Sequence, residues 1–225
     1  MSLKVKTDKM QVMNKTIKLN LGCGSHVIDG WINVDYALGA RLMKLPLFAA
    51  INRRARLFNM EWDNRIFIHD LRKRFPWDSG SVDMIYSSHT LEHLTKENGR
   101  RFLEECFRVL KPGGIVRIVV PDLEVLVSQY QNRELDADDF LIKLDVLTER
   151  SGGIVKRLLS PYMSYPHQCM YDRRRLVRII SDIGFDAAAR KAFDSGIQNI
   201  REIEREDRTV DAVIVEGTKS SPAPG

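Results

Sequence analysis

The chain has 225 residues, 44% of them hydrophobic, and a formal net charge of +5, which favours a solvated basic face over a strongly anion-binding surface. This length and composition predict one large α/β domain with a substantial core. The three cysteines lie far apart without CxxC spacing, and no apolar run approaches the ~20 residues that span a bilayer, so we expect a soluble protein in a reducing, cytoplasmic setting.

The first predicted strand, residues 17–21, ends at a glycine turn, Gly22-Cys23-Gly24. A second strand at 32–34 follows so soon that the crossover helix between them must be reduced to about a turn. This second strand ends at Asp35. Glycines after a strand let a ligand approach the backbone, and a carboxylate at the next strand end can bind a ribose diol. The pattern therefore predicts a nucleoside-bearing cofactor.

The segment 37–59 interrupts the strand pattern. Pro46 suits a helix start, and the apolar residues that follow recur at helical spacing with arginines between them. The apolar positions are Leu47, Phe48, Ile51, Ala55 and Phe58. Three interpretations stay open: a helix that covers the core, a lid over the cofactor site, and a peripheral membrane contact through residues 41–58.

The rest of the chain alternates strands and helices. A third strand leads to Asp70-Leu71, a fourth leads to Ser87, and a fifth is closed by Asp122. Because ligands bind beyond the carboxyl ends of parallel strands, Asp35, Asp70 and Asp122 should gather at one rim. The predicted strands after the second are 65–69, 82–86, 115–120, 188–193 and 210–216, and the predicted helices are 98–110, most of 123–159, and 172–183.

These elements predict a Rossmann-like, doubly wound, mostly parallel seven-stranded sheet with a shortened first crossover. We expect one folded domain at 16–218, a flexible segment at 1–15 and a flexible tail at 219–225. An NAD site is disfavoured, since the third glycine of GxGxxG is missing and Asp35 comes too early.

The ordered set of motifs resembles the class I S-adenosylmethionine-dependent methyltransferases, and in particular a type 11-like subgroup associated with sugar and cell-surface polymer modification. The set comprises Asn20-Leu21-Gly22-Cys23-Gly24, Asp35, Asp70-Leu71, 82–93, Lys111-Pro112-Gly113-Gly114 and 120–123. The resemblance covers roughly residues 17–216 and treats 37–59 and 123–166 as insertions at the lid and acceptor region.

The resemblance implies S-adenosylmethionine as the cofactor and assigns residues to it. Asn20, Leu21, Gly22, Cys23 and Gly24 would lie against its methionine part, and Asp35 would hold the ribose hydroxyls. Asp70 would accept a hydrogen bond from the adenine amino group, Leu71 would pack on the ring, and Ser87 would meet the methionine ammonium. Hydroxyls and amines are good partners for such partly buried carboxylates.

Two histidines are candidate catalytic residues. His167 lies in the segment that borders the acceptor pocket in the subgroup, where it would either accept a proton or hold the loop in place. His89 would face the cofactor or substrate, and His93 would be structural. His89-Thr90-Leu91-Glu92-His93 also matches the HxxEH zinc-protease motif, but it follows a strand directly, so we expect no metal.

The sequence thus predicts methyl transfer from S-adenosylmethionine to a small-molecule or saccharide acceptor, with oxygen favoured as the target atom. No nucleic-acid partner is expected, because the fourth strand is followed by Ser87-Ser88-His89-Thr90 and not by an Asn/Asp-Pro-Pro-Tyr run. A non-catalytic S-adenosylmethionine-binding protein in an assembly is the alternative. The sequence makes no prediction of the oligomeric state.

Overall fold

A computed structural model of the protein describes residues 16–45, 62–146 and 165–221. These residues form a seven-stranded sheet in the order β3-β2-β1-β4-β5-β7-β6. Strands β1 to β5 pair in parallel, and β7 runs antiparallel to both of its neighbours. The strands are β1 Lys18–Leu21, β2 Ile32–Asp35, β3 Phe67–Ile68, β4 Val82–Ser88, β5 Leu110–Pro121, β6 Phe185–Ala189 and β7 Ala212–Lys219. The predicted Rossmann-like fold is confirmed.

Helices cover the sheet between the strands. They are α1 Leu38–Met43, α2 Lys96–Val109, α3 Leu123–Gln131, α4 Ala137–Leu144, α5 Arg173–Ile183 and α6 Glu206–Thr209, with short 3-10 turns at Leu91–His93 and Ile200–Glu202. On one face, Phe102 of α2 and Ile180 of α5 belong to the main core cluster. On the other face, Trp31, Val119 and Ile203 belong to a second cluster, so both faces of the sheet are buried.

The crossover from β1 to β2 is a loop stabilised by two buried amides. Asn20 Nδ2 donates to Asn33 Oδ1 at 2.9 Å and to the His26 carbonyl at 3.1 Å. Asn33 in turn accepts from Ile28 N–H and donates to the carbonyls of Ile28 and Trp31. These side chains satisfy backbone groups that a helix would otherwise pair. The sequence predicts a crossover helix of about one turn between β1 and β2. The loop in the structure contains no helix at all.

Several element boundaries differ from the predicted ones. β3 is shorter than expected, and β6 begins at Phe185, directly after the left-handed Gly184 that ends α5. β7 extends through Lys219, the predicted first residue of the tail, and its ammonium donates to the carbonyls of Phe107 and Leu110. Asp172, the first residue of the helix predicted at 172–183, caps α5, since its side chain accepts from Arg175 N–H.

The predicted helix of the first insertion falls on residues outside the described ranges, as do Pro46 and Phe48. Within the described part of that insertion, α1 is a six-residue helix that the periodicity did not predict. The described residues contain no helix long and apolar enough to cross a membrane.

A buried ion-pair network joins β5, β7 and the loop before β7. The guanidinium of Arg117 is fully buried and pairs with Glu204 at 2.8 Å and with Glu216 at 2.9 Å. Its remaining hydrogens reach the carbonyls of Lys191 and Asp194. All five N–H donors of the side chain are therefore used.

Candidate functional site

The glycine turn lies at the point where the strand order of the sheet reverses, between β1 and β4. Gly22 and Cys23 both donate their N–H to the Val34 carbonyl, at 2.9 and 3.1 Å. Gly22 and Gly24 have φ values of +73° and +55°, which side chains rarely adopt. A Cβ on Gly22 would clash with Thr90, whereas a Cβ on Gly24 would meet open space. The turn is therefore tightly packed at Gly22 and open at Gly24, so a ligand can approach its backbone at Gly24.

Alanine substitutions at the two glycines should separate packing from ligand access. Gly24→Ala should cost only the left-handed backbone strain, about 1–2 kcal/mol, and it should weaken cofactor binding. Gly22→Ala adds the clash with Thr90 and should be less stable than Gly24→Ala by a further ~2 kcal/mol. Urea denaturation of both variants measures this difference. Equal stabilities would show that Thr90 does not close the turn from beneath.

Asp35 connects the turn to the end of β2. Its Oδ2 accepts from Gly24 N–H at 2.8 Å, and its Oδ1 accepts from Ala37 N–H at 2.7 Å. Each carboxylate oxygen has a second lone pair, so the side chain can accept further hydrogen bonds from hydroxyls. The structure thus brings Asp35 beside the glycine turn and fixes its orientation through the backbone.

Asp70 lies beyond β3, buried and paired with Arg72. Arg72 donates Nε–H and Nη2–H to the two carboxylate oxygens, both at 2.8 Å. These hydrogen bonds are the main reason why the pKa of Asp70 lies below its usual value, ahead of the opposing effect of burial. The next residue, Leu71, is buried in the main core cluster. Asp70 is thus an ionised acceptor, and Arg72 is a site residue that the sequence analysis did not single out.

Ser87 bridges the two strands at the switch point. Its hydroxyl donates to the Leu21 carbonyl at 3.0 Å and is buried. The side chain of Ser87 is therefore committed to the protein, and its contact with the methionine ammonium stays a prediction. Cys23 is also buried, and desolvation raises the pKa of its thiol to about 12, so it does not act as a nucleophile.

Asn20 and Asp122 also have structural functions within the fold. Both amide hydrogens of Asn20 are used in the crossover loop, so its side chain positions the turn and has no N–H left for a cofactor. Asp122 ends β5 at the same edge as the other strand ends, but its carboxylate accepts from Glu124 N–H and caps α3. Asn33, the partner of Asn20, was missed, although a polar residue inside a buried strand is a signal for such a role.

Tyr165 brings the second insertion to this rim. Burial raises the pKa of its phenol, the nearby Asp35 carboxylate raises it further, and Arg41 and Arg72 oppose the shift. Arg41 also stacks on Tyr36, with 4.6 Å between the guanidinium carbon and the ring centroid. Aromatic and basic side chains thus border the space around Asp35 and Asp70.

The two candidate histidines lie around the 3-10 turn that follows Thr90. His89 has a left-handed backbone with a φ of +51°, and its Nε2 lies 3.0 Å from the Arg208 carbonyl. Its Nδ1 lies 3.4 Å from Glu92 Oε1. His167 Nδ1 lies 2.8 Å from the Leu144 carbonyl, and its ring centroid is 4.9 Å from that of His93. The structure therefore brings both candidates beside Glu92 and His93.

Residues 19–118 match the family model described as a methyltransferase domain, type 11. This match includes the glycine turn, Asp35, Asp70, Ser87 and the 3-10 turn. Residues 19–118 therefore carry the sequence pattern of a methyltransferase domain. Similarity to this family implies S-adenosylmethionine as the cofactor of the matched region.

A curated relative supports the same assignment for the methyltransferase domain. It is described as a probable S-adenosylmethionine-dependent methyltransferase from Mycolicibacterium smegmatis and is 29% identical over 101 residues. The match covers 42% of the present chain and 37% of the relative, so the chain spans well under half of that protein.

Solved structures with similar folds have low sequence identity. The YcgJ protein of Bacillus subtilis is 14% identical, with a TM-score of 0.49 and coverage of 97% of this chain and 100% of that one. A chain from a complex of the Haloferax volcanii Trm112 methyltransferase activator with a putative methyltransferase is 17% identical, with a TM-score of 0.48 and coverage of 96% and 89%. The fold assignment therefore rests on the strand order of this chain itself.

The residues of the methyltransferase domain fit S-adenosylmethionine chemically. The open space above Gly24 admits a ligand to the backbone, and the carboxylates of Asp35 and Asp70 can accept hydrogen bonds from hydroxyls and an amino group. The fit comes from donors and acceptors that the fold itself orients.

Proposed function

We propose that this chain transfers a methyl group from S-adenosylmethionine to a small-molecule or saccharide acceptor, with a hydroxyl oxygen as the target. The observation that carries the proposal is the arrangement of the glycine turn, Asp35, Asp70 and Ser87 at the carboxyl ends of β1 to β4. In this proposal Asp35 binds the ribose hydroxyls, Asp70 accepts from the adenine amino group, and the turn residues 21–24 lie against the methionine part.

The proposed chemistry needs positioning more than acid–base catalysis. S-adenosylmethionine supplies a methyl group on a sulfonium, which is a good leaving group. The protein then has to hold the acceptor oxygen in line with this group, and positioning can supply about 7–11 kcal/mol in model reactions. Gly22 is fixed by Thr90 and Asp35 by two backbone N–H groups, so the donor side of the site is rigid.

A cavity lined by both polar and apolar groups is the candidate site for a hydroxyl-bearing acceptor of the kind found in sugar and cell-surface polymer modification. It measures about 540 Å³ and lies between α3 and the start of α5. Hydrogen-bonding side chains from α3 line it together with two arginines of α5, and such groups suit a saccharide better than an apolar molecule. The lining includes Asp122, Ser128, Gln129, Asn132, Arg173 and Arg174.

A labelled-methyl assay tests the proposal. Purified protein is incubated with S-adenosylmethionine labelled on the methyl group and with fractionated cell extracts, including polysaccharide fractions. We expect label in a saccharide or small-molecule fraction and its loss in Asp35→Ala. Binding of S-adenosylmethionine without transfer to any fraction would favour the non-catalytic alternative. Calorimetric binding of NAD in place of S-adenosylmethionine would contradict the cofactor assignment.

The role of His167 as a proton acceptor stays a prediction. Its Nδ1 is occupied by the Leu144 carbonyl, so the nitrogen left for an acceptor hydroxyl is Nε2, which lies 3.9 Å from Asp145 Oδ2. Burial lowers the pKa of His167, which keeps the ring neutral near pH 7. The same ring has a second set of neighbours, which leads to a different assignment.

A further inference from the structure

Glu92, His93 and His167 form a cluster of metal-binding atoms beside the cofactor turn. One donor atom from each residue lies within 4.8 Å of the other two. Glu92 is completely buried, and within the described ranges neither of its carboxylate oxygens has a hydrogen-bond partner. Nδ1 of His93 is also buried without a partner among those residues. A buried bare carboxylate is costly, so the cluster requires a compensating positive charge.

The hydrogen bonds of two histidines fix where their protons lie. A backbone carbonyl only accepts, so the hydrogen must lie on Nδ1 of His167, which faces Leu144, and on Nε2 of His89, which faces Arg208. In the neutral rings, Nε2 of His167 and Nδ1 of His89 then carry lone pairs. His89 Nδ1 points at Glu92 Oε1 from 3.4 Å, which is one acceptor facing another. With a neutral His89 ring this arrangement lacks a proton donor and is suited to a cation, whereas a protonated His89 would itself pair with Glu92.

We propose that Glu92, His93 and His167 bind a divalent metal ion of the zinc class. Imidazole nitrogens combined with one carboxylate are ligands that Zn²⁺ and neighbouring transition metals prefer. Metal-bound histidines usually donate their other ring N–H to a carbonyl or carboxylate, as His167 does here. The proposal of this metal site does not rest on the proposed methyl transfer.

This assignment departs from the sequence prediction of no metal. That prediction rests on the position of HxxEH directly after a strand, and the structure agrees that His89 and His93 do not share a long helix. The missing donor comes instead from His167. Its segment is held against the turn by hydrogen bonds from the backbone N–H groups of Gln168 and Cys169 to the Glu92 carbonyl. Sequence spacing does not show this contact.

Calorimetry with ZnCl₂ and with CoCl₂ tests the site, on protein first treated with a chelator and kept reduced. The wild type should bind one equivalent of metal, and Co²⁺ should give visible ligand-field absorption. Glu92→Gln and His167→Asn should each weaken binding by more than about 100-fold, since even outer partners of metal ligands change affinity by 10–100-fold. His69→Asn is the matched control, because the His69 ring packs on Phe75, outside the cluster.

Zinc K-edge absorption of the wild type provides a second test that needs no variant, and it should show imidazole and carboxylate ligands. Absence of stoichiometric binding by the wild type would overturn the proposal. Unchanged affinity in both Glu92→Gln and His167→Asn would overturn it as well. A wild type without metal, together with a more stable Glu92→Gln, would show that a proton neutralises the carboxylate. Calorimetry with S-adenosylmethionine on the same samples reports separately on the cofactor site.

Discussion

Replacing Arg117 with methionine should lower the free energy of unfolding by about 3–5 kcal/mol, because two buried carboxylates lose the guanidinium that neutralises them and only the 3.6 Å pair of Glu216 with Arg190 remains. Glu204 and Glu216 both pair with this guanidinium in the interior. Urea denaturation followed by circular dichroism measures the change. The matched control is Arg100→Met, which removes an exposed pair with Glu104 on α2 and should cost about 0.5 kcal/mol or less.

A triple variant separates the loss of the ion pairs from the loss of packing around Arg117. Adding Glu204→Gln and Glu216→Gln to Arg117→Met removes the unpaired charges, so it should recover part of the lost stability. If Arg117→Met costs less than 1 kcal/mol, or if the triple variant is no better, the network does not hold β5 and β7 together in the way described.

Asp35→Asn should weaken S-adenosylmethionine binding by about 100-fold. The substitution removes the negative charge that accepts from the ribose hydroxyls, and hydrogen bonds to charged groups contribute about 1.5–3 kcal/mol each. It also places an amide N–H opposite a backbone N–H, at Gly24 or at Ala37. Calorimetry with S-adenosylmethionine gives the affinity, and a urea titration of the same variant shows whether it folds.

The control for Asp35→Asn is Asp29→Asn, which changes a neighbouring exposed carboxylate. The Asp29 side chain is 91% exposed and pairs with Arg65 at the surface, so its loss should leave cofactor affinity within twofold. An unchanged affinity in a well-folded Asp35→Asn would remove Asp35 from the ribose site, and with it the main support for the donor arrangement.

Local chemical signals predicted the strands and the residues that meet at the glycine turn. The sequence indicated Gly22 and Gly24 because only glycine suits their backbone angles. It indicated Asp35 because this residue ends a short apolar strand. Helix boundaries were also readable where a capping residue was present, as at Asp172 and Gly184.

The contacts that were missed depend on residues far apart in the sequence or on side-chain geometry. Thr90 closes the turn under Gly22, although 68 residues separate the two in the chain. Arg117 would be read as a surface residue in an alternating strand, although its two carboxylate partners bury it. Such contacts exist only after the sheet has assembled, so hydrophobic periodicity does not reveal them.

The Arg117 network has a consequence for the chain during synthesis. Its partners lie 87 and 99 residues further along the chain, whereas Asn20 and Asn33, which support the glycine turn, are 13 residues apart. The half of the sheet around the turn can therefore assemble while the C-terminal strands are still being made. Until β7 arrives, β5 is an open edge with an uncompensated arginine beside apolar residues. We expect a nascent or prematurely terminated chain that ends before Glu204 to self-associate through this edge.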